Sequence, residues 1–154
     1  MRTRRTLRVL FVVGWATVAT LLFWIHRSAW LGVDELDVCE AVFRFQIESL
    51  EKAIPGQIST HYLSVNEANP PASLLDRLSA SRLHVERGSL FYPELWRKGA
   101  WHSVIRRLER IDDKTFVVHG GYANNGLSAS GEDYTVVKRD RRWIVEKVVG
   151  RWVA

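Results

Sequence analysis

The spacing of apolar residues changes character along this chain of 154 residues. From Val9 to Ile25 (VLFVVGWATVATLLFWI) the chain carries no charge over 17 residues. A helix of that length, at 1.5 Å per residue, spans about 26 Å, close to the hydrocarbon thickness of a thin bilayer. From Glu35 to Ala53 the apolar residues return at intervals of three and four. Leu36, Cys39, Val42, Phe43, Ile47 and Leu50 share one stripe, and Glu40, Arg44, Glu48 and Glu51 lie opposite. That period predicts an amphipathic helix, ended by Pro55-Gly56. Thr60 to Val65 reads as an extended run. Ser73-x-x-Asp76 resembles a capping box opening a second helix with Leu74, Leu75 and Leu78 on its apolar side. Arg82 to Glu86 alternates as a strand does. Gly88 to Gly99 holds Phe91, Tyr92, Pro93, Leu95 and Trp96 without a period, so a loop with aromatic packing is expected.

Residues 101–111 satisfy two patterns at once. Trp101, Val104, Ile105, Leu108 and Ile111 fit a helical face, yet Asp112-Asp113-Lys114 looks like a hairpin turn into Thr115 to Ala123. In that second segment Phe116, Val118, Gly120 and Tyr122 alternate with Val117, His119, Gly121 and Ala123. A hairpin partner has to be extended, so a strand is expected for 101–111. Asn124-Asn125-Gly126 marks another turn. A strand ending at Tyr134 to Arg139, a turn at Asp140-Arg141 and a last strand from Arg142 to Val149 follow. Two helices ahead of consecutive antiparallel strands imply an α+β domain, with the helices packed on a curved, mainly antiparallel sheet.

Charge refines the organisation. The first 31 residues hold Arg2, Arg4, Arg5, Arg8 and Arg27 and no acid, so the other residues balance at 17 basic against 17 acidic side chains. The basic isoelectric point is therefore a property of the membrane-proximal segment. A nucleic-acid role, which needs cations gathered on the binding face, conflicts with a neutral domain. Cationic flanks stay cytoplasmic. The expected organisation is a basic cytoplasmic segment at 1–8, a transmembrane anchor at 9–25, a connector at 26–34 and an extracytoplasmic domain at 35–154. Arg4, Arg5 and Arg8 at the inner boundary, with Trp24 and Trp30 at the outer one, make the membrane-interface set, and the bilayer is the first partner. In a cell with two membranes the domain would be periplasmic. The competing reading is a cleaved secretory signal, but the run exceeds the usual apolar length of about 7–15 residues and its small-residue exits are poor.

Little chemistry is legible. Cys39 is the single cysteine, so it cannot pair within the chain, and its place on the helical stripe predicts a core residue. His26, His61, His84, His102 and His119 form no metal-ligand spacing, and no metal or cofactor is expected. Gly126-Leu127-Ser128-Ala129-Ser130-Gly131 approaches the nucleophile elbow. It lacks the second glycine, however, and leads into a strand where the elbow needs a helix. Asp112-Asp113 and Glu132-Asp133 are neighbours in sequence only, because adjacent strand residues face opposite sides. No catalytic residue is assigned. The candidate ligand-binding residues are His119, beside Gly120-Gly121, together with Tyr122 and Tyr134.

Val38-Cys39-Glu40-Ala41-Val42-Phe43-Arg44, Tyr62-Leu63-Ser64-Val65, Gly120-Gly121-Tyr122, Gly126 to Gly131, Tyr134 and Trp143-x-Val145 together resemble a family of small uncharacterised bacterial exported proteins. The likeness spans roughly residues 38–153 and bears on architecture and location alone. The element order is also similar to the cone-shaped sheets of nuclear-transport-factor-2-like, or cystatin-like, folds. Those folds host both enzymes and binding modules. Two functions follow as expectations. One is a tethered, non-enzymatic extracytoplasmic module that binds a protein partner or envelope component. The other is a small-molecule or enzymatic pocket inside a cone-shaped sheet.

Overall fold

The computed structural model describes residues 31–125 and 128–153. The expected anchor lies outside them, and among the described residues no helix is long and apolar enough to cross a membrane. The chain runs α1 (Val33–Ala53), β1 (Thr60–Val65), α2 (Ala72–Ser79), β2 (Val85–Arg87), two 3-10 turns (Gly88–Leu90 and Pro93–Lys98), β3 (Ala100–Asp112), β4 (Thr115–Asn125), β5 (Ser128–Arg139) and β6 (Arg142–Val153). Among the described residues, two helices and one six-stranded sheet make an α+β domain, with strand order β2-β1-β3-β4-β5-β6. The sheet is mixed. β3 to β6 form an antiparallel meander, whereas β1 lies parallel to both β2 and β3.

Local chemistry explains where the elements begin and end. Gly32 precedes α1, and the Glu35 carboxylate accepts from the Gly32 amide at 2.8 Å, satisfying a donor that the first turn would leave open. Ser73 does not cap α2 as its sequence suggested. Pro71 takes the cap position without a side-chain bond, and Ser73 falls inside the helix. The expected strand from Arg82 shrinks to Val85–Arg87, because Arg82 adopts φ 63°, outside the extended region. Residues 101–111 are extended within β3, where pairing with both β1 and β4 overrides the local helical period. The β3–β4 turn closes on Asp112, whose carboxylate accepts from the Lys114 amide at 2.7 Å. Asp140 and Arg141 both take positive φ, 48° and 66°, as a two-residue hairpin between right-twisted strands requires.

The helices cover one face of the sheet. Val38, Cys39, Val42, Phe43, Ile47 and Leu50 of α1 are buried there, against Leu63, Val65, Ile105, Phe116, Val118, Tyr134 and Val136. Trp143 closes the β6 side, its ring edge-on to Phe116 at 5.2 Å between centroids. At the start of α1, Asp34 accepts from Lys138 at 3.0 Å and from Arg110 at 2.9 Å. Those two cations hold its carboxyl down at about 2. Arg77 of α2 reaches Asp37 at 2.7 Å and Glu40 at 3.3 Å, tying the two helices together.

Candidate functional site

Strand alternation divides the covered face into an apolar part and a polar part. Along β4, Phe116 and Val118 face the helix with Gly120 and Tyr122. In register on β5 lie Val136, Tyr134, Glu132 and Ser130. β3 contributes Ser103 opposite Tyr122, and Trp101 next to it, while β1 contributes His61 opposite Trp101. The end of the face carrying Phe116, Val118 and Val136 is apolar. The other end is a polar band that crosses four strands.

Gln46 of α1 organises this band. It occupies the buried stripe between Phe43 and Leu50, 2% exposed. Its Nε2 donates to the Gly121 carbonyl at 3.3 Å and to the Tyr134 hydroxyl at 3.0 Å. The carbonyl can only accept, so the amide orientation is fixed. The Tyr134 hydroxyl passes its own proton toward Glu132, which also accepts from Ser130 Oγ at 3.5 Å. Both oxygens of Glu132 therefore act as acceptors. Burial pushes the Tyr134 phenol far above its ordinary range, and its bond to Glu132 pushes it the same way.

Gly120 makes this approach feasible. A Cβ there would lie 2.5 Å from the Val104 carbonyl, 3.4 Å from Gln46 Nε2 and 3.5 Å from the Tyr134 ring. Gly121 follows at φ 153°, where a Cβ would run into the Ser130 carbonyl. The Gly-Gly-Tyr run is thus a seat for Gln46 and Tyr134. Trp101 and Tyr122 stand edge-to-face beside it, 5.5 Å between centroids.

Several groups in the band have no partner among the described residues. Gln46 Oε1, the Ser103 hydroxyl and both ring nitrogens of His61 are buried without a hydrogen bond. Ser103 is 0% exposed and His61 2%. Burial holds His61 down at about 4, so its ring is neutral, and Glu51, 3.7 Å away, does not pair with a cation there. Buried polar atoms are nearly always satisfied by protein, water or ligand. Their gathering at one end of one face marks that end as the candidate site.

The sequence-predicted residues divide between the two faces. Tyr122 and Tyr134 belong to the band. His119 does not; it projects from the opposite face, where its Nδ1 lies 2.6 Å from Asp133 Oδ1 and Arg151 donates to the other Asp133 oxygen at 2.6 Å. Desolvation raises Asp133, but its bonds to His119 and Arg151 outweigh it and keep the carboxyl low. Glu132 and Asp133 face opposite sides, as expected for neighbours on a strand. Cys39 is fully buried, and burial raises its thiol well above the ordinary range. Gly126 and Leu127, the start of the elbow-like motif, lie outside the described residues, and the chain beyond them is strand β5 rather than a helix. Among the described residues no group of three His, Cys, Asp or Glu side chains could hold a metal.

Sequence reading passed over Gln46 and Ser103, and weighed Glu132 only as the sequence neighbour of Asp133. A glutamine at a core position of an otherwise apolar stripe was the available signal. It also passed over a pair on the outer face: Ser64 Oγ lies 2.8 Å from His102 Nε2, in a groove of about 340 Å³ that also includes Asn69, Gly88 and Ser89. Gly88 presses on that hydroxyl so closely that a Cβ would overlap it, and Phe91 stacks over the imidazole at 5.0 Å. The pair links β1 to β3 beside the Gly88–Leu90 turn, and burial holds His102 down at about 4, a weak base.

The chain matches no protein-family model, no curated protein and no solved structure.

Proposed function

We propose that this chain is a membrane-tethered domain facing the extracytoplasmic space, and that the polar end of its helix-covered face binds a small molecule. One observation carries the reading. The hydrogen-bond chain from Gln46 through Tyr134 to Glu132 is built deep under α1, and leaves Gln46 Oε1 and the Ser103 hydroxyl unpartnered beside it. A purely structural core would gain more from apolar packing at these positions, because an incompletely satisfied polar network is less stable than a hydrophobic one. The site offers acceptors, hydroxyls and two aromatic walls, the mixture of polar and apolar groups that holds a small molecule. The likeness to cone-shaped nuclear-transport-factor-2-like sheets agrees with a pocket under the helix, at the level of analogy. Tethering rests on the uncharged run at 9–25 and its arginine-rich start.

The test is a thermal-shift screen of the full chain in detergent micelles against metabolites and lipid headgroups, since a ligand selective for the folded form raises its melting temperature. A hit that Gln46→Leu abolishes supports the pocket; silence across the whole set overturns it. A protein or envelope partner is the second reading, and one feature favours it. Ile144, Val149 and Trp152 leave apolar surface exposed along β6, on the face away from the helices. Crosslinking in intact membranes, lost when Val149 and Trp152 become serine, would support that alternative.

A further inference from the structure

Glu132 differs from the ion-paired carboxylates of the domain. Asp34 is met by Lys138 and Arg110, Asp37 and Glu40 by Arg77, and Asp133 by Arg151. Glu132 is half-buried and turned toward the interior, yet both of its partners among the described residues are hydroxyls, those of Tyr134 and Ser130. Hydroxyls solvate a negative charge without neutralising it. A carboxylate withdrawn from water without a cation is unfavourable. The buried titratable groups on the same face, the Tyr134 phenol bonded to Glu132 and the His61 ring, are both neutral.

The atoms around Glu132 are complementary to one kind of ligand. Gln46 Oε1 is an unpartnered acceptor, and its orientation cannot reverse without losing the bond to the Gly121 carbonyl. An ammonium group offers three donors and a positive charge, which a carboxylate and an amide oxygen satisfy together. Trp101 and Tyr122 supply aromatic surface, suited to an apolar arm and, by their negative faces, to a cation. An anionic ligand would meet the Glu132 charge with no cation to offset it. A neutral alcohol would leave that charge as it is.

Resting on the pocket reading above, we propose that the site takes a small organic cation: an amine whose ammonium group sits between Glu132 and Gln46 Oε1, with its apolar arm against Trp101 and Tyr122. The test compares three probes of nearly equal size, benzylamine, benzyl alcohol and benzoate, on the full chain in detergent micelles at neutral pH. Tryptophan fluorescence and melting temperature are the readouts. Benzylamine is expected to bind saturably, at least tenfold more tightly than benzyl alcohol, with no response to benzoate. Glu132→Gln should remove the preference for benzylamine and bring the two neutral or cationic probes to similar affinity. The wild-type comparison stands even if that variant folds poorly. Equal binding of benzylamine and benzyl alcohol, or tighter binding of benzoate, would overturn the cationic class while leaving the pocket intact. Silence of all three probes also overturns it, and the wider screen then decides the pocket separately.

Discussion

Gln46 and Tyr134 stand 88 positions apart in sequence and meet at 3.0 Å, the helix amide donating to the strand phenol beneath it. The bond joins the layer of helices to the middle of the meander, in a stretch where both side chains are almost wholly withdrawn from water. It also sets the direction of the chain beyond it, because a phenol that accepts from Gln46 is free to donate to Glu132. The two residues should therefore be energetically coupled. Gln46→Leu and Tyr134→Phe are each expected to cost about 1–2 kcal/mol, with a coupling of about 0.5–1.5 kcal/mol in the double variant. Urea denaturation of the four proteins measures it, and strict additivity would refute the coupling.

Gly120→Ala should be more damaging than its single added methyl suggests. The new Cβ meets the Val104 carbonyl at 2.5 Å, and a backbone oxygen in a paired strand cannot step aside cheaply. A loss of about 1–3 kcal/mol is expected from the forced shift. The same shift displaces Gln46 and Tyr134, so any ligand identified in the screen should bind this variant more weakly.

Much of the fold is legible in the residues, and the reasons are physical. The stripe of Leu36, Cys39, Val42, Phe43, Ile47 and Leu50 leaves a helix as the economical solution, and Asp112-Asp113-Lys114 and Asp140-Arg141 punctuate the meander where the turns fall. Pairing between β1 and β3 was not legible, because parallel neighbours separated by a helix, a short strand and two turns carry no local mark of each other. The candidate site was half legible. Tyr122 and Tyr134 drew attention as aromatic residues near a Gly-Gly pair. Glu132, Ser103 and Gln46 are ordinary polar residues whose meaning appears only when their burial is known. His119 was grouped with the tyrosines by proximity in sequence, although the alternation of Gly120 and Tyr122 against His119 already sets it on the other face.

Cys39 should be invisible to thiol reagents in the folded domain. It has no exposed surface, and burial holds its thiol protonated. A maleimide is expected to label the native protein negligibly and to label it fully in denaturant. Cys39→Ala should leave the mobility on non-reducing gels unchanged, and destabilise the fold by about 1 kcal/mol through the lost sulfur contacts. Rapid native labelling, or a covalent dimer that the substitution removes, would contradict its place in the core.

The proposed anchor makes a separate prediction. Replacing Val13 and Leu22 with arginine puts two charges into the uncharged run, each opposing insertion by about 2.5–3.5 kcal/mol near the centre of a span. The doubly substituted chain should leave the membrane fraction or fail to be exported, while the domain itself keeps its fold by circular dichroism. Membrane fractionation identical to the parent chain would remove the basis for tethering.

Stability should fall on mild acidification because of two histidines on opposite faces of the sheet. Burial lowers His61 and His102 from an ordinary 6.5 to about 4. As the pH drops below 6.5 the unfolded chain takes up these protons first, while the folded rings stay neutral. Their contribution to stability is therefore complete above 6.5, declines as the pH falls, and is lost once the pH passes through about 4. At about 1.4 kcal/mol for each unit of difference, one ring accounts for about 3 kcal/mol across that window. His61→Leu removes a proton acceptor whose nitrogens have no partner among the described residues, and should flatten the dependence by about half. Urea midpoints at pH 7, 5.5 and 4.5, compared between the parent and His61→Leu, measure the effect. An unchanged slope would mean that His61 is solvated in the folded protein, and that its nitrogens do not belong to the unpartnered end of the band.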